Sequence, residues 1–265
     1  MKSNSFGIPL LIIVTFPFLG LVNPIEAQLS RVKNNLLESG QLNFERVTAS
    51  PGEDAPSGIQ KGAGSNSGEC QIGEQENPLV ALVPEENATN VEDIYVWART
   101  TQQFPTFWFY VAYPPNTYAQ FELQDEQQNR LYKTTFQLKG TPGLVSFTLP
   151  STQSVRLETG KRYFWYFYIM CGQPGSPDDF VSAWVEKVDL NTDITQKLQQ
   201  ATPIQQVNIY AENGIWHETL TKLAQLRSQQ PENEQLGLIW ANLLEQIDLE
   251  EFSQAAWVQH HEPEQ

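Results

Sequence analysis

The sequence predicts an α+β fold in which a β-sandwich is followed by a helical region. Residues 77–188 contain about eight short segments with strand character, separated by turn-forming residues at the spacing of an all-β sandwich. After Asp189 the apolar residues recur at helical spacing, and aromatic residues become fewer. The predicted strands are 79–83, 93–98, 106–113, 119–125, 131–138, 144–149, 162–170 and 181–188.

The two most aromatic segments are predicted to be central strands. Residues 107–113 are apolar at every position, and residues 163–170 carry large apolar side chains on both faces. A strand without polar alternation is normally covered on both faces. The outer face of each strand must therefore be covered by another element or form a binding surface. The aromatic residues that such a surface would present are Trp108, Tyr110, Tyr166 and Tyr168.

The chain begins with the features of an export signal. An apolar stretch from Gly7 to Val22 follows a short basic opening, and the sequence around Ala27 has the form of a cleavage site. Pro9 and Pro17 interrupt the stretch, and a membrane span requires about 20 apolar residues. We expect residues 1–27 to be a signal peptide, and the mature protein to be periplasmic or secreted without a transmembrane anchor.

The segment after the signal is predicted to be a flexible lead-in. Residues 28–69 contain few aromatic residues and many turn formers, notably in 50–58 and 61–68. A segment of this composition buries too little apolar surface to offset the entropy of ordering it.

Export also determines how the two cysteines are interpreted. Paired cysteines persist outside the cytosol, so Cys70 and Cys171 are predicted to form one disulfide. The bond would close a loop of about 100 residues, for which the chain-entropy model gives on the order of 4 to 5 kcal/mol.

The composition is strongly acidic. Sixteen basic residues stand against 31 acidic ones, which gives a formal net charge of −15. Such a chain repels nucleic acid and anionic lipid. We therefore expect no nucleic-acid partner. The binding partner is instead expected to be a protein or an envelope glycan.

A short motif refines the prediction for the β region. Leu157, Gly160 and Tyr163 resemble the corner of fibronectin-type and immunoglobulin-like domains, in which a tyrosine hydroxyl ties the start of a strand to the preceding loop. The motif predicts an immunoglobulin/fibronectin-like antiparallel β-sandwich over residues 70–189.

Residues 190–260 are predicted to be helical. The spacing of Tyr210, Gly214 and Pro231 resembles a tetratricopeptide hairpin, with Thr219 in the place of a small residue. One and a half such units cannot stack into a solenoid. We therefore expect the helices to dock on the sandwich.

The histidines are the remaining candidates for catalytic or metal-binding residues. His217 beside Glu218 has the composition of a general base, but we expect this pair on the polar face of a helix. His260 and His261 lie at the start of the predicted tail, 261–265, without a third metal ligand. The sequence therefore predicts no catalytic residue, no metal ion and no cofactor.

The order of several motifs resembles an exported cyanobacterial family catalogued as domain of unknown function 928 (DUF928). The resemblance extends from about Gly62 to the end of the chain. It rests on Gly62-Ala63-Gly64, Cys70, Leu79–Pro84, Pro105–Val111, Leu123–Glu126, Pro142–Ser146, Gly160–Phe167, Cys171 and Tyr210–Trp216. The family has no established activity, so the resemblance implies a source and a compartment and transfers no catalytic residue.

Three functions are compatible with these features. The first is a non-catalytic interaction module of the cell envelope. The second is a glycan-binding domain, whose candidate ligand-binding aromatics are Trp97, Trp108, Tyr110, Tyr113 and Tyr118. The third is a hydrolase whose site the sequence does not reveal. A cleft with converging acids would favour the hydrolase, and an open aromatic surface would favour glycan binding.

Overall fold

The structure is a computed structural model. It describes residues 28–29, 31, 36, 39–50, 55–64, 70, 77–88, 93–114, 117–152, 155–172 and 175–263. The predicted signal peptide, 1–27, lies outside these residues. The fold is α+β, with two mixed β-sheets in an open, sandwich-like arrangement followed by four C-terminal helices.

The described residues form ten strands in two sheets. The four-stranded sheet has the order β1-β4-β7-β10, and the six-stranded sheet has the order β2-β3-β9-β8-β5-β6. The strands are β1 Leu79–Ala81, β2 Glu85–Asn87, β3 Ile94–Thr100, β4 Thr106–Val111, β5 Tyr118–Gln124, β6 Arg130–Gln137, β7 Gly143–Thr148, β8 Arg162–Met170, β9 Asp179–Lys187 and β10 Trp257–His261. All eight predicted strands are present.

The structure corrects the prediction in two respects. The sheets are mixed rather than antiparallel, because β10 pairs with β7 and β3 pairs with β9 in parallel. In addition, Trp257–His261 is a strand, although residues 190–260 were predicted to be helical and 261–265 a tail. Both parallel pairings join segments that are far apart in the chain, so no local sequence pattern predicts them.

Aromatic rings fill the space between the sheets. Phe107 and Phe109 of β4 point inward, and Phe109 stacks on Phe167 of β8 with 3.8 Å between ring centroids. Phe107 meets Phe121 of β5 at 4.9 Å and Trp165 of β8 at 5.4 Å. Such contacts contribute about 0.5–1.5 kcal/mol each beyond the apolar area that they bury.

The predicted tyrosine corner is confirmed. The Glu158 backbone N–H donates to the Tyr163 hydroxyl at 2.9 Å, and Tyr163 is 4% exposed. Burial raises the pKa of the Tyr163 hydroxyl, so the group stays protonated at neutral pH. The bond holds the loop before β8 against the first residues of that strand.

Four helices follow the last strand of the six-stranded sheet. They are α1 Thr192–Gln200, α2 Pro203–Glu212, α3 Trp216–Gln229 and α4 Glu234–Glu245, and a short 3-10 helix follows at Glu250–Phe252. The Asn191 side chain caps α1 by accepting from the Ile194 N–H at 2.9 Å. Gly214 turns the chain between α2 and α3 with a φ of 67°. None of the described helices has the length and hydrophobicity needed to cross a membrane.

Helix α3 packs on the outer face of the four-stranded sheet. The Trp216 indole N–H donates to the Leu82 carbonyl at 2.7 Å, and Trp216 is fully buried. The Trp108 indole N–H, which projects from β4, donates to the Thr221 hydroxyl at 2.9 Å. These two bonds join the helical region to the sheet at residues that also bury large apolar rings.

The described part of the predicted lead-in, 28–69, is packed against the rest of the fold. Leu42 is 1% exposed, and Phe44 meets Trp216 edge-on at 5.0 Å between ring centroids. The Leu42 N–H donates to Asn242 Oδ1 at 2.8 Å. The expectation that this segment buries too little surface is therefore wrong for these residues, because its few apolar side chains enter a core that other elements build.

The glycine-rich motif at residues 62–64 surrounds a buried carboxylate. Asp179 accepts from the Gly64 N–H at 3.2 Å and from the Tyr113 hydroxyl at 2.8 Å. A Cβ on Gly62 would lie 2.6 Å from Asp179 Oδ2, which leaves no room for a side chain. The motif is thus explained by close packing against Asp179.

Cys70 and Cys171 form the disulfide that the sequence predicts. Their Cα atoms are 5.4 Å apart, and 101 positions separate them in the chain. Cys171 directly follows β8, and its N–H donates to Asp178 Oδ2 at 2.9 Å. The bond thereby fixes Cys70, nine positions before the start of β1, to the turn between β8 and β9.

Removing the corner hydroxyl tests this part of the fold. Tyr163→Phe deletes the acceptor of the Glu158 N–H, so we expect the free energy of unfolding to fall by about 1 kcal/mol. Urea unfolding followed by circular dichroism measures the change.

Tyr166→Phe is the matched control, because the Tyr166 hydroxyl makes no hydrogen bond with the described residues. Its effect is expected to stay within about 0.5 kcal/mol. Equal losses in the two variants would show that the corner bond does not stabilise the fold.

Candidate ligand-binding cleft

A cleft of about 410 Å³ opens between the α3–α4 hairpin and the segment that leads into β10. Its volume falls within the range of about 300–1,000 Å³ typical of ligand pockets. We call it the tryptophan cleft. It is lined by Trp108, Leu144, Ala224, Arg227, Ser228, Gln230, Pro231, Asn233, Glu234, Gly237, Trp240, Gln254, Ala255, Ala256 and Trp257.

Three indole rings from three different elements meet in this cleft. Trp108 of β4 lies 4.8 Å from Trp257 of β10 and 6.5 Å from Trp240 of α4, measured between ring centroids. Trp257 donates its indole N–H to the Ser146 hydroxyl at 3.1 Å and to the Gln259 carbonyl at 3.0 Å, which fixes its ring. Trp108 and Trp240 are buried, whereas Trp257 is half-buried. Trp257 therefore presents the accessible ring surface.

Arg227 is the cation of the cleft. Its guanidinium lies over the Trp240 ring, 4.8 Å from the centroid, an interaction of about 1–2 kcal/mol. The side chain is half-buried, and burial lowers the pKa of the guanidinium. Within the described part of the chain no carboxylate lies within 4 Å of it. Its N–H donors are therefore available to a ligand.

Gly237 lines the cleft without contributing a side chain. It lies inside α4, where glycine is less favourable than alanine by about 1 kcal/mol. A Cβ at this position would meet no atom within 4 Å, so packing within the chain does not require glycine there. The space that the missing side chain leaves belongs to the cleft, since Gly237 is one of its lining residues.

Comparison with known proteins places the chain in a family. The family model described as Domain of Unknown Function (DUF928) matches residues 61–257. The chain belongs to the DUF928 family. The matched range contains every lining residue of the tryptophan cleft, and its last residue is Trp257.

Other comparisons add little to the DUF928 assignment. No curated protein matches the sequence. Among solved structures, the chain is similar to one titled "Crystal structure of the C-terminal domain of wzt", with 14% sequence identity. The alignment covers 59% of this chain and 87% of that chain at a TM-score of 0.30, which is too low to support an argument about function.

Most of the aromatic residues predicted to bind a ligand are not accessible in this DUF928 chain. Trp97 and Tyr113 are fully buried, Trp108 is 2% exposed and Tyr110 is 9% exposed. Trp97 packs on Trp184, Tyr110 packs on Phe252, and Tyr113 bonds Asp179. Tyr118 is half-buried on the six-stranded sheet. Of the five, only Trp108 lines the cleft, and neighbouring indoles cover it.

A shared surface of Trp108, Tyr110, Tyr166 and Tyr168 is also ruled out. The first two lie on the four-stranded sheet, and the last two lie on the outer face of the six-stranded sheet. Tyr166 and Tyr168 stack on each other, with 5.3 Å between ring centroids and 7° between ring planes. Their ring faces are therefore partly used within the protein.

His217 and Glu218 are buried rather than on a polar helix face. Glu218 Oε1 accepts from the Thr100 hydroxyl at 2.8 Å, from both the N–H and the hydroxyl of Thr101, and from the Gln102 N–H. The His217 ring packs on Phe107, and its Nδ1–H donates to the Thr106 carbonyl at 3.1 Å. The carboxylate thus holds the loop between β3 and β4 onto α3.

The potential metal ligands do not form a usable site. Among the described residues, one group of metal-ligand type comes together, formed by Cys70, Cys171 and Asp178. The two sulfur atoms are bonded to each other and cannot act as thiolate ligands.

Sequence reasoning missed Arg227, Gly237, Trp240 and Trp257 as site residues. Arg227 and Trp240 were read as parts of helices, and Trp257 was placed in a helical region. The one available signal was Gly237, because a glycine inside a helical pattern indicates a packing or functional requirement.

The burial of His217 predicts a pH dependence of stability. Burial lowers its pKa from 6.5 to about 4, so the folded chain keeps the ring neutral where the unfolded chain protonates it. The stabilisation is complete above pH 6.5 and is lost as the pH falls to 4, by up to about 3 kcal/mol. Unfolding of the parent and of His217→Phe at pH 7, 5.5 and 4 measures it.

Burial raises the pKa values of Glu86 and Glu218, so these groups have the opposite effect. Their contribution to the free energy of unfolding decreases as the pH rises. Comparison with the variant cancels their contribution. A stability difference between parent and variant that is the same at pH 7 and pH 4 would contradict the assignment to His217.

Proposed function

We propose that this protein is a non-catalytic interaction module of the cell envelope that binds a saccharide in the tryptophan cleft. The observation that carries the proposal is the half-buried Trp257 ring beside an unpaired Arg227 in a cleft of about 410 Å³. An aromatic ring with a fixed orientation and a polar donor next to it are the two elements that orient a sugar.

The lining of the cleft supports a saccharide as the ligand. A sugar ring has apolar C–H faces, which pack on an indole, and a hydroxyl edge, which needs donors and acceptors. Trp257 supplies the indole, and Ser228, Gln230, Asn233 and Gln254 supply hydroxyl and amide groups. A few polar groups around an apolar wall are typical of pockets that orient small ligands.

The distribution of acids favours binding over hydrolysis. Glycosidic cleavage uses a pair of carboxylates, and Glu234 is the single acid among the lining residues of the cleft. A second pocket, of about 170 Å³, has His217 and Glu218 among its lining residues. One oxygen of Glu218 already accepts four hydrogen bonds from the chain, which supports a structural role.

Export and source belong to the same proposal. The disulfide supports a compartment outside the cytosol, since paired cysteines persist there. We assign the mature protein to the periplasm or the exterior of a cyanobacterium, with an envelope glycan or protein as its partner. Classification as an immunoglobulin/fibronectin-like sandwich draws support from the Tyr163 corner, and classification of the α2–α3 pair as tetratricopeptide-like draws support from the Gly214 turn.

Filling the cleft tests the proposal. Gly237→Leu places a side chain in the open space and improves the helix propensity of α4. We expect saccharide binding, found on an array of neutral and acidic oligosaccharides and quantified by calorimetry, to weaken at least tenfold while thermal stability is kept.

The control is Gln229→Leu, which adds the same side chain at an exposed position of α3 outside the cleft. Trp257→Ala is expected to weaken binding as Gly237→Leu does. Binding that survives both cleft variants, or an array without any bound saccharide, would contradict the proposed function.

A further inference from the structure

Arg227 has no counter-ion among the described residues, although the chain is rich in acids. Sixteen basic residues face 31 acidic ones, and seven of the described lysine and arginine residues lie within 4 Å of a carboxylate. Glu234 lines the same cleft, yet it forms no ion pair with Arg227 among the described residues. Half of the 14 described basic residues lack such a partner, and Arg227 differs from the rest of that half in lining the tryptophan cleft.

The guanidinium is also held in place. It lies over the Trp240 ring, and Trp240 is fully buried in α4. A guanidinium that stacks on an aromatic face keeps the N–H groups at its rim for planar acceptors, and its fork matches a carboxylate in a bidentate arrangement. The stacking thus limits the positions that the guanidinium can take in the cleft.

The charge of the cleft selects the anion. Arg227 and Glu234 are its charged lining residues, and the whole chain carries a formal net charge of −15. A phosphate group, with a charge near −2 at neutral pH, would be repelled by Glu234 and by the rest of the chain more strongly than a singly charged anion. A carboxylate carries a single charge and leaves the cleft with a smaller excess of negative charge.

From these contacts we infer that the saccharide is acidic and that Arg227 binds its carboxylate while a sugar ring packs on Trp257. The inference rests on the proposed function and adds the class of ligand, a uronic-acid-containing oligosaccharide. The two contacts belong to the same cleft, and the Gln254 amide, together with the groups that the Asn233–Gln230 hydrogen bond leaves over, can contact the hydroxyl groups.

The test uses matched pairs of probes. Neutral oligosaccharides that carry one terminal galacturonate, glucuronate or mannuronate residue are compared with their carboxyl-reduced forms, which differ only by a hydroxymethyl group in place of the carboxylate. We expect at least one uronate to bind at least tenfold more tightly than its reduced form, with an affinity that decreases as salt increases.

Substitution of Arg227 then shows whether this residue causes the preference for the uronate. Arg227→Met is expected to remove the preference for the uronate, and Arg227→Lys to keep part of it, because lysine retains the charge without the fork. Arg130→Met, at an exposed arginine of the six-stranded sheet, is the matched control and should keep the full preference. Thermal unfolding of each variant separates loss of binding from loss of the fold.

The outcomes distinguish this inference from the proposed function. Equal affinity for uronates and reduced forms, or a preference that persists in Arg227→Met, would overturn the inference and leave saccharide binding in place. Binding of neutral saccharides alone would do the same. If no saccharide binds the folded protein, both the inference and the proposed function are wrong.

Discussion

The rest of the structure depends on one requirement, which is that strand β4 must be covered on both faces. Phe107 and Phe109 point to the six-stranded sheet, and Trp108 and Tyr110 point the other way. An apolar strand with one face in water would expose a large contiguous apolar patch, which soluble chains avoid. The six-stranded sheet covers the inner face of β4. The outer face must be covered by elements outside the sandwich.

Several separate elements cover the outer face of β4, and their arrangement explains the position of the cleft. Helix α3 anchors on the sheet through Trp216, the 3-10 helix places Phe252 on Tyr110, and β10 extends the sheet in parallel with β7. The pieces meet around Trp108 without closing completely. The remaining space is the tryptophan cleft, which is lined by Gly237 and by Arg227, whose guanidinium has no carboxylate partner among the described residues.

The parts that were predictable from the sequence are those with a local pattern. Apolar runs and alternation between turn residues identified the eight predicted strands, and a short motif identified the Tyr163 corner. The Cys70–Cys171 disulfide was predictable because the sequence has only two cysteines. The burial of the lead-in and strand β10 were missed, because each depends on a surface that distant segments build. Four of the five aromatic residues predicted to bind a ligand are buried, which the sequence did not indicate because hydrophobicity does not distinguish a buried ring from an accessible one.

The tryptophan indoles offer the most direct measurement of where a ligand binds. The sequence contains seven tryptophans, and the indole N–H of each gives a separate resonance in a ¹H–¹⁵N spectrum. During titration with the saccharide that binds best, we predict that the resonances of Trp240 and Trp257 shift, whereas those of Trp97 and Trp184, on the six-stranded sheet, stay in place. Shifts confined to Trp97 and Trp184 would place the ligand on the opposite side of the molecule and contradict the account.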